Sequence, residues 1–194
     1  RAQSMLGLLD TLGISRTHLV GNSMGGMIAV LMLQEQPHRF DRAILMGSAG
    51  APIEPTADLI KMITYYDNPS PESMLGLMGR FLHDTGLYGD RIHQIAADRA
   101  ALAAREDVRR SHLRTFSPDG PLLVFSAETL IGIDHEVLLV HGREDRVIPL
   151  ATSLRLLELV PRAQLHVFGR CGHWSQIEHA STFNRLLLDF LTQE

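Results

Sequence analysis

At 194 residues the chain is long enough for one ordinary domain core, or for a core carrying a small insertion. Apolar residues make up 45% and charged residues 21%, the balance of a soluble globular protein, and the formal net charge is −4. That charge argues against electrostatic capture of nucleic acid or an anionic membrane, and no apolar run approaches the roughly 20 residues that cross a bilayer. The expectation is therefore no nucleic-acid partner and no membrane partner. The single cysteine, Cys171, has no partner for an internal disulfide, which points to a free buried thiol and a cytoplasmic location. No secretory leader is visible, and Arg1 reads as lying inside an amphipathic helix rather than at a natural beginning.

In chain order, Met5–Leu12 reads as the last turns of a helix and Thr17–Val20 as a strand. The run Gly21-Asn22-Ser23-Met24-Gly25 follows directly, and a helix over Met27–Gln34 continues until Pro37 stops it. Arg42–Met46 is the next strand. These apolar runs are continuous rather than alternating, as in strands covered on both faces of a parallel sheet. From about Ala51 to Thr129 the periodicity is helical, punctuated by Asn68-Pro-Ser-Pro71, Gly86, Gly89 and Ser117-Pro-Asp-Gly120. The strand–helix rhythm then resumes: strand Val137–Val140, helix Ser153–Val160, strand Gln164–Phe168, helix Ser181–Leu191. The predicted fold is α/β, a parallel sheet flanked by helices. Residues 1–50 and 131–194 form the core, and residues 51–130 form an inserted helical lid.

Strand, sharp turn, helix is the setting of a nucleophile elbow, with Ser23 at its tip. Gly21 and Gly25 flank the serine where the backbones are expected to crowd, and the Met24 N–H is placed to donate to an oxyanion. A serine hydroxyl needs a base, and the base needs an orienting acid. Asp145 follows the strand ending at Gly142, and His173 follows the strand ending at Gly169. Both lie at carboxyl ends of strands, where open α/β sheets collect ligands. The order Ser23, Asp145, His173 is that of α/β-hydrolases. Glu144 is a rival acid; Asp145 is preferred because Glu144 reads as a solvated loop charge. A complete fold of this kind has strands ahead of the elbow strand. The chain is therefore expected to be N-terminally truncated, with the elbow strand a bare edge and the second oxyanion donor missing.

Four segments carry a closer resemblance: Leu19-Val-Gly-Asn-Ser-Met-Gly-Gly26, Leu45-Met-Gly-Ser48, His141-Gly-Arg-Glu-Asp-Arg-Val-Ile-Pro149 and Leu165-His-Val-Phe-Gly-Arg-Cys-Gly-His-Trp-Ser-Gln-Ile-Glu-His179. They resemble the meta-cleavage product hydrolases, carbon–carbon bond hydrolases of aromatic degradation, and within them the 2-hydroxymuconic semialdehyde hydrolase branch. The resemblance implies cleavage of the C5–C6 bond of a 2-hydroxy-6-oxo-2,4-dienoate by a serine-type hydrolase. It implies that Arg99, in the lid segment Asp98–Arg105, pairs with the substrate carboxylate, that Asn22 lines the same end of the pocket, and that Trp174 packs on the substrate. It also implies a homo-oligomer. Sequence leaves open whether Ser23 attacks C6 or activates water, and which group C6 carries.

No cofactor is expected. Of ten histidines only His173 has a motif around it. His141, at a strand end before Gly142, reads as a hydrogen-bonded loop residue, and His135, His166 and His179 read as partly buried or surface residues. No His-Glu-x-x-His pattern is present, so no metal is expected. Met62, Met74 and Met78 read as adaptable packing. Two alternatives stand beside carbon–carbon hydrolysis: a carboxylesterase or lactonase using the same triad, and a non-enzymatic receptor that has kept the pocket.

Overall fold

The computed structural model describes residues 1–52, 54–116 and 124–192. The turn expected at Ser117-Pro-Asp-Gly120 lies outside them. Helix α1 (Ala2–Thr11) leads into strand β1 (Thr17–Asn22), and α2 (Met24–Glu35) follows at once. Pro37 stops α2 and opens a short 3-10 turn into β2 (Phe40–Met46). Among the described residues the next helices are α3 (Ala57–Ile63), α4 (Pro71–Phe81), α5 (Arg91–Ala103), α6 (Glu106–Thr115) and α7 (Ala127–Ile131). The chain then returns to the sheet through β3 (Glu136–Gly142), α8 (Leu150–Leu159) and β4 (Ala163–Phe168). It ends with the single turn α9 (Ser175–Glu178) and α10 (Ala180–Thr192). Hydroxyl caps set several starts: Thr56, Ser70 and Ser126 accept the N–H of Leu59, Ser73 and Thr129, and Pro71 occupies the first position of α4.

The four strands are parallel and lie in the order β1-β2-β3-β4, with Leu45 opposite Leu139 and Leu139 opposite Leu165. Alternate residues feed opposite faces. Ala43, Leu45, Val137 and Leu139 pack with α1, α2 and α8, whereas Ile44, Met46, Leu138 and Val140 pack with Phe183 and Phe190 of α10. Helices cover both faces, which is why β2 and β3 carry unbroken apolar runs. Strand β1 is at the edge, and Val20 on it is half exposed.

The helices between β2 and β3 have a small core of their own, built on Tyr65, Leu77 and Ala103 with Met62, Met74 and Phe81 against it. Asp58 of α3, nearly buried, ties this layer to the sheet side. Its carboxylate pairs with Arg80 of α4 and, at 3.0 Å, with Arg146. The hydroxyl of Thr56 also donates to the Val147 carbonyl at 2.8 Å. Leu130 of α7 is fully buried and joins the main core beside Phe125 and Ile133. That side chain pins the returning chain to the sheet. Leu130→Ala should cost about 2–5 kcal/mol of unfolding free energy, measured by denaturant titration; a loss below 1 kcal/mol would mean that the return does not depend on this contact.

Candidate active site

Ser23 sits between β1 and α2 at φ 57°, ψ −118°, a region that non-glycine residues rarely occupy. Such a conformation costs on the order of 1–3 kcal/mol and has to be imposed by its surroundings. The imposing contacts are visible. The Ser23 N–H donates to the Met46 carbonyl at 2.8 Å, and the Ser23 carbonyl accepts from Gly26 at 3.0 Å. A Cβ on Gly21 would stand 2.4 Å from the Gly25 carbonyl oxygen, so only glycine fits there. Gly25 differs from expectation: a Cβ built on it meets open space. The crowding lies at Gly21, and Gly25 contributes its backbone to it. Met24 is the first residue of α2, so its N–H has no acceptor within the helix.

Asp145 and His173 meet directly. Both are buried, and His173 Nδ1 lies 2.6 Å from Asp145 Oδ2. A carboxylate only accepts, so Nδ1 carries the proton and Nε2 is left as a base. Asp145 Oδ1 accepts the N–H of Val147 at 2.9 Å and of Ile148 at 3.0 Å, which fixes the carboxylate plane. Ser23 Oγ and His173 Nε2 each lack a hydrogen-bond partner among the described residues. Asn22, next to the serine, reaches the His173 carbonyl at 3.5 Å and the Met46 carbonyl at 3.1 Å with its amide. The elbow and the histidine loop are therefore neighbours, and the Asn22 amide is engaged with main chain.

Two neighbours of the pair were only partly read from sequence. Glu144 is a loop charge that stays partly solvated but is also tied down: its carboxylate accepts the Cys171 N–H at 3.0 Å, and its own N–H donates to the Cys171 carbonyl at 2.9 Å. The Cys171 N–H first, and then the Arg143 guanidinium, hold its acid below the usual carboxylate range. His141 is not on a loop. It lies on β3, fully buried, with Nδ1 2.7 Å from the Ser153 hydroxyl and Nε2 2.9 Å from the Ile148 carbonyl. The carbonyl requires Nε2 to be the donor, so Ser153 donates to Nδ1. The same Nε2–H lies 3.5 Å from Asp145 Oδ2. Burial pushes the His141 imidazolium below its ordinary range. Nothing in the local sequence separates this histidine from the others; only its strand position hinted at burial. Cys171 is the expected free, buried thiol, pushed up to about 12 by burial.

Ser23 opens onto a cavity of about 530 Å³. Its walls are mainly apolar, with Met27, Leu31, Leu59, Met62, Phe116 and Val147 among them, and Glu54, Thr56 and Arg1 add polar groups. Asn22, Arg99 and Trp174 are not among its lining residues. Arg99 is an exposed residue of α5 whose guanidinium carbon lies 5.1 Å from the Trp174 ring centroid. Trp174 stacks on Phe81 with ring centroids 4.8 Å apart and planes 14° apart.

The His141 geometry has a pH consequence. Burial holds the native imidazole below the value near 6.5 at which the unfolded one titrates. The unfolded chain then binds the extra proton as pH falls, so this contribution is present above about pH 6.5 and fades below it. His141→Gln should show a shallower loss of unfolding free energy between pH 7 and 5 than the parent; parallel slopes would refute a neutral buried imidazole.

Comparison with known proteins shows the family to which this chain belongs. The family model for the alpha/beta hydrolase fold matches residues 2–180. The chain is 42% identical over 192 residues to a 2-hydroxymuconate semialdehyde hydrolase of Pseudomonas putida, covering 97% of this chain and 66% of that protein. It is 40% identical to a 2-hydroxy-6-oxo-2,4-heptadienoate hydrolase of Pseudomonas putida, covering 98% of this chain and 68% of that protein. Among solved structures, a meta-cleavage product hydrolase of Pseudomonas fluorescens superposes with a TM-score of 0.90 at 38% identity, over 98% of this chain and 70% of that one. The chain spans about two thirds of the length of these relatives. With the strand–elbow–helix unit and the parallel sheet in place, the chain belongs to the α/β-hydrolase family and, within it, to the meta-cleavage product hydrolases.

Proposed function

We propose that the whole protein hydrolyses the C5–C6 bond of 2-hydroxy-6-oxo-2,4-dienoates, using Ser23, His173 and Asp145. The observation that carries this reading is the buried 2.6 Å His173–Asp145 hydrogen bond, in loops that adjoin a strained serine opening onto a largely apolar cavity. Relatives named for hydrolysis of such dienoates support the substrate class.

The chemistry follows from the leaving group. Carbon leaves poorly, so the dienol first becomes a ketone by gaining a proton at C5 and losing one from the C2 hydroxyl. The C2 carbonyl can then accept the electron pair of the breaking C5–C6 bond. His173 is the proton carrier for this step, through Nε2. In one route Ser23 adds to the C6 carbonyl, the Met24 N–H meets the developing oxyanion, and water later releases the acid. In the other, Ser23 and His173 activate water for direct addition. Both consume one water and yield 2-hydroxypenta-2,4-dienoate and a carboxylic acid. Asp145 keeps the His173 proton on Nδ1 and stabilises the imidazolium.

In this reading residues 51–130 act as a lid over the site. Arg99 anchors the substrate carboxylate, Trp174 offers an apolar face, and Asn22 closes the same end. Their adjacency supports these roles: Arg99 stands over Trp174, which follows His173 in the chain, and the Asn22 amide touches the His173 carbonyl. A bidentate guanidinium supplies affinity and orientation together. A homo-oligomer is proposed on the family resemblance alone. An esterase or lactonase reading has one observation in its favour: the cavity at Ser23 is lined mainly by apolar side chains, and Arg99 is not on its wall.

The whole protein mixed with the yellow ring-opened product of catechol should bleach its dienolate absorbance, and Ser23→Ala should abolish turnover. Unchanged absorbance beside rapid p-nitrophenyl ester cleavage would favour the esterase. Arg99→Ala should raise KM for the dienoate about tenfold, equivalent to about 1.4 kcal/mol, and leave p-nitrophenyl acetate unaffected; equal effects on both substrates would remove Arg99 from carboxylate recognition.

A further inference from the structure

The segment Cys171-Gly172-His173 is held by its backbone, one N–H at a time. Cys171 N–H donates to the Glu144 carboxylate at 3.0 Å. Gly172 N–H donates to Glu178 Oε2 at 2.7 Å. His173 N–H donates to the Phe81 carbonyl at 2.7 Å. The residue before them, Arg170, has φ 55°, so the turn into this segment is itself strained. Three consecutive donors with three different acceptors leave the base of the imidazole little freedom.

Glu178, at the end of α9, does more than satisfy Gly172. Its other oxygen, Oε1, accepts the N–H of His83 at 2.8 Å and of Asp84 at 3.0 Å. One carboxylate thus receives three main-chain donors from two segments nearly 90 residues apart in sequence. Charge-assisted hydrogen bonds of this length are the strong ones. The approach they enforce is close. A Cβ on Gly172 would lie 2.5 Å from the Phe81 carbonyl oxygen and 2.9 Å from the His83 nitrogen. Phe81 in turn stacks on Trp174 and has its ring centroid 5.5 Å from that of His173.

We propose that Glu178 is a positioning residue that clasps residues 83–84, just beyond α4, to the loop bearing His173, and so sets the orientation in which His173 meets Ser23. This rests on the catalytic reading of Ser23, His173 and Asp145. Glu178 touches neither substrate nor reacting atoms; it acts through the Gly172 peptide and the Phe81 wall. The wall around the base is then built partly from the inserted helices, and a shift in them is transmitted to the imidazole.

The test uses the whole protein with Glu178→Ala and Glu178→Gln. One readout is the rate at which a fluorophosphonate labels Ser23, forming the oxygen–phosphorus bond, expelling fluoride and passing the hydroxyl proton to His173. The second is the low-field proton resonance of His173 Nδ1–H against Asp145. Glu178→Ala should slow labelling at least tenfold and shift or broaden the resonance. Glu178→Gln keeps one oxygen but presents an amide donor to main-chain donors, so it should fall between Glu178→Ala and the parent. Parent labelling rate and an unmoved resonance in a folded variant would overturn the proposal, even if its unfolding temperature dropped, because only a stability role would remain. If Glu178→Ala does not fold, Glu178→Gln decides on both readouts. A parent protein that is not labelled at Ser23 would sink the catalytic reading instead, and the resonance would still decide the role of Glu178.

Discussion

The bond between His173 Nδ1 and Asp145 Oδ2 joins two loops that follow different strands, and it is buried at both ends. A buried imidazole and carboxylate are tolerated only if nearly every remaining polar atom finds a partner. That requirement organises the surrounding structure. Asp145 is satisfied by the amides of Val147 and Ile148, and the Ile148 carbonyl is satisfied by His141. Ser153 then completes His141. The acid loop is thus closed by a chain of contacts running from β3 to α8, with a neutral histidine in its middle.

The serine side of the site rests on a different constraint, one of space. A left-handed φ at Ser23 persists because the Gly21 position has no room for a side chain and because the Ser23 amide is tied to the end of β2. Strain at the tip and hydrogen bonding at the histidine are separate means to one end: both restrict the conformations open to Ser23 and to the His173 ring.

The sheet was legible because its signals are local. Unbroken apolar runs such as Ala43–Met46 and Val137–Val140 announce strands covered on both faces, and the order Ser23, Asp145, His173 follows from them. The single turn Ser175–Glu178 carries no periodicity and was not anticipated. What escaped were contacts that no motif marks. Glu144 beside Asp145 looks like any loop carboxylate, yet it is bound to Cys171. Glu178 could be noted as part of a motif, but its link to His83 and Asp84 exists only once the chain folds. His141 differs from the other histidines only by the burial of its strand. Apart from the Ser153 hydroxyl on His141, these partners are main-chain amides and carbonyls, which leave no side-chain pattern.

The helices between β2 and β3 have a dual attachment that bears on how the site is held. On the acid side, Asp58 meets Arg146 and Thr56 meets the Val147 carbonyl. On the base side, Phe81 and the two residues after Leu82 meet His173, Gly172 and Glu178. Between these anchors lies a small apolar core that is separate from the main one. The insertion thus has its own core and hydrogen-bonded roots beside both Asp145 and His173. Two roots, hydrogen-bonded on either side of the His173–Asp145 contact, hold that contact from both loops at once.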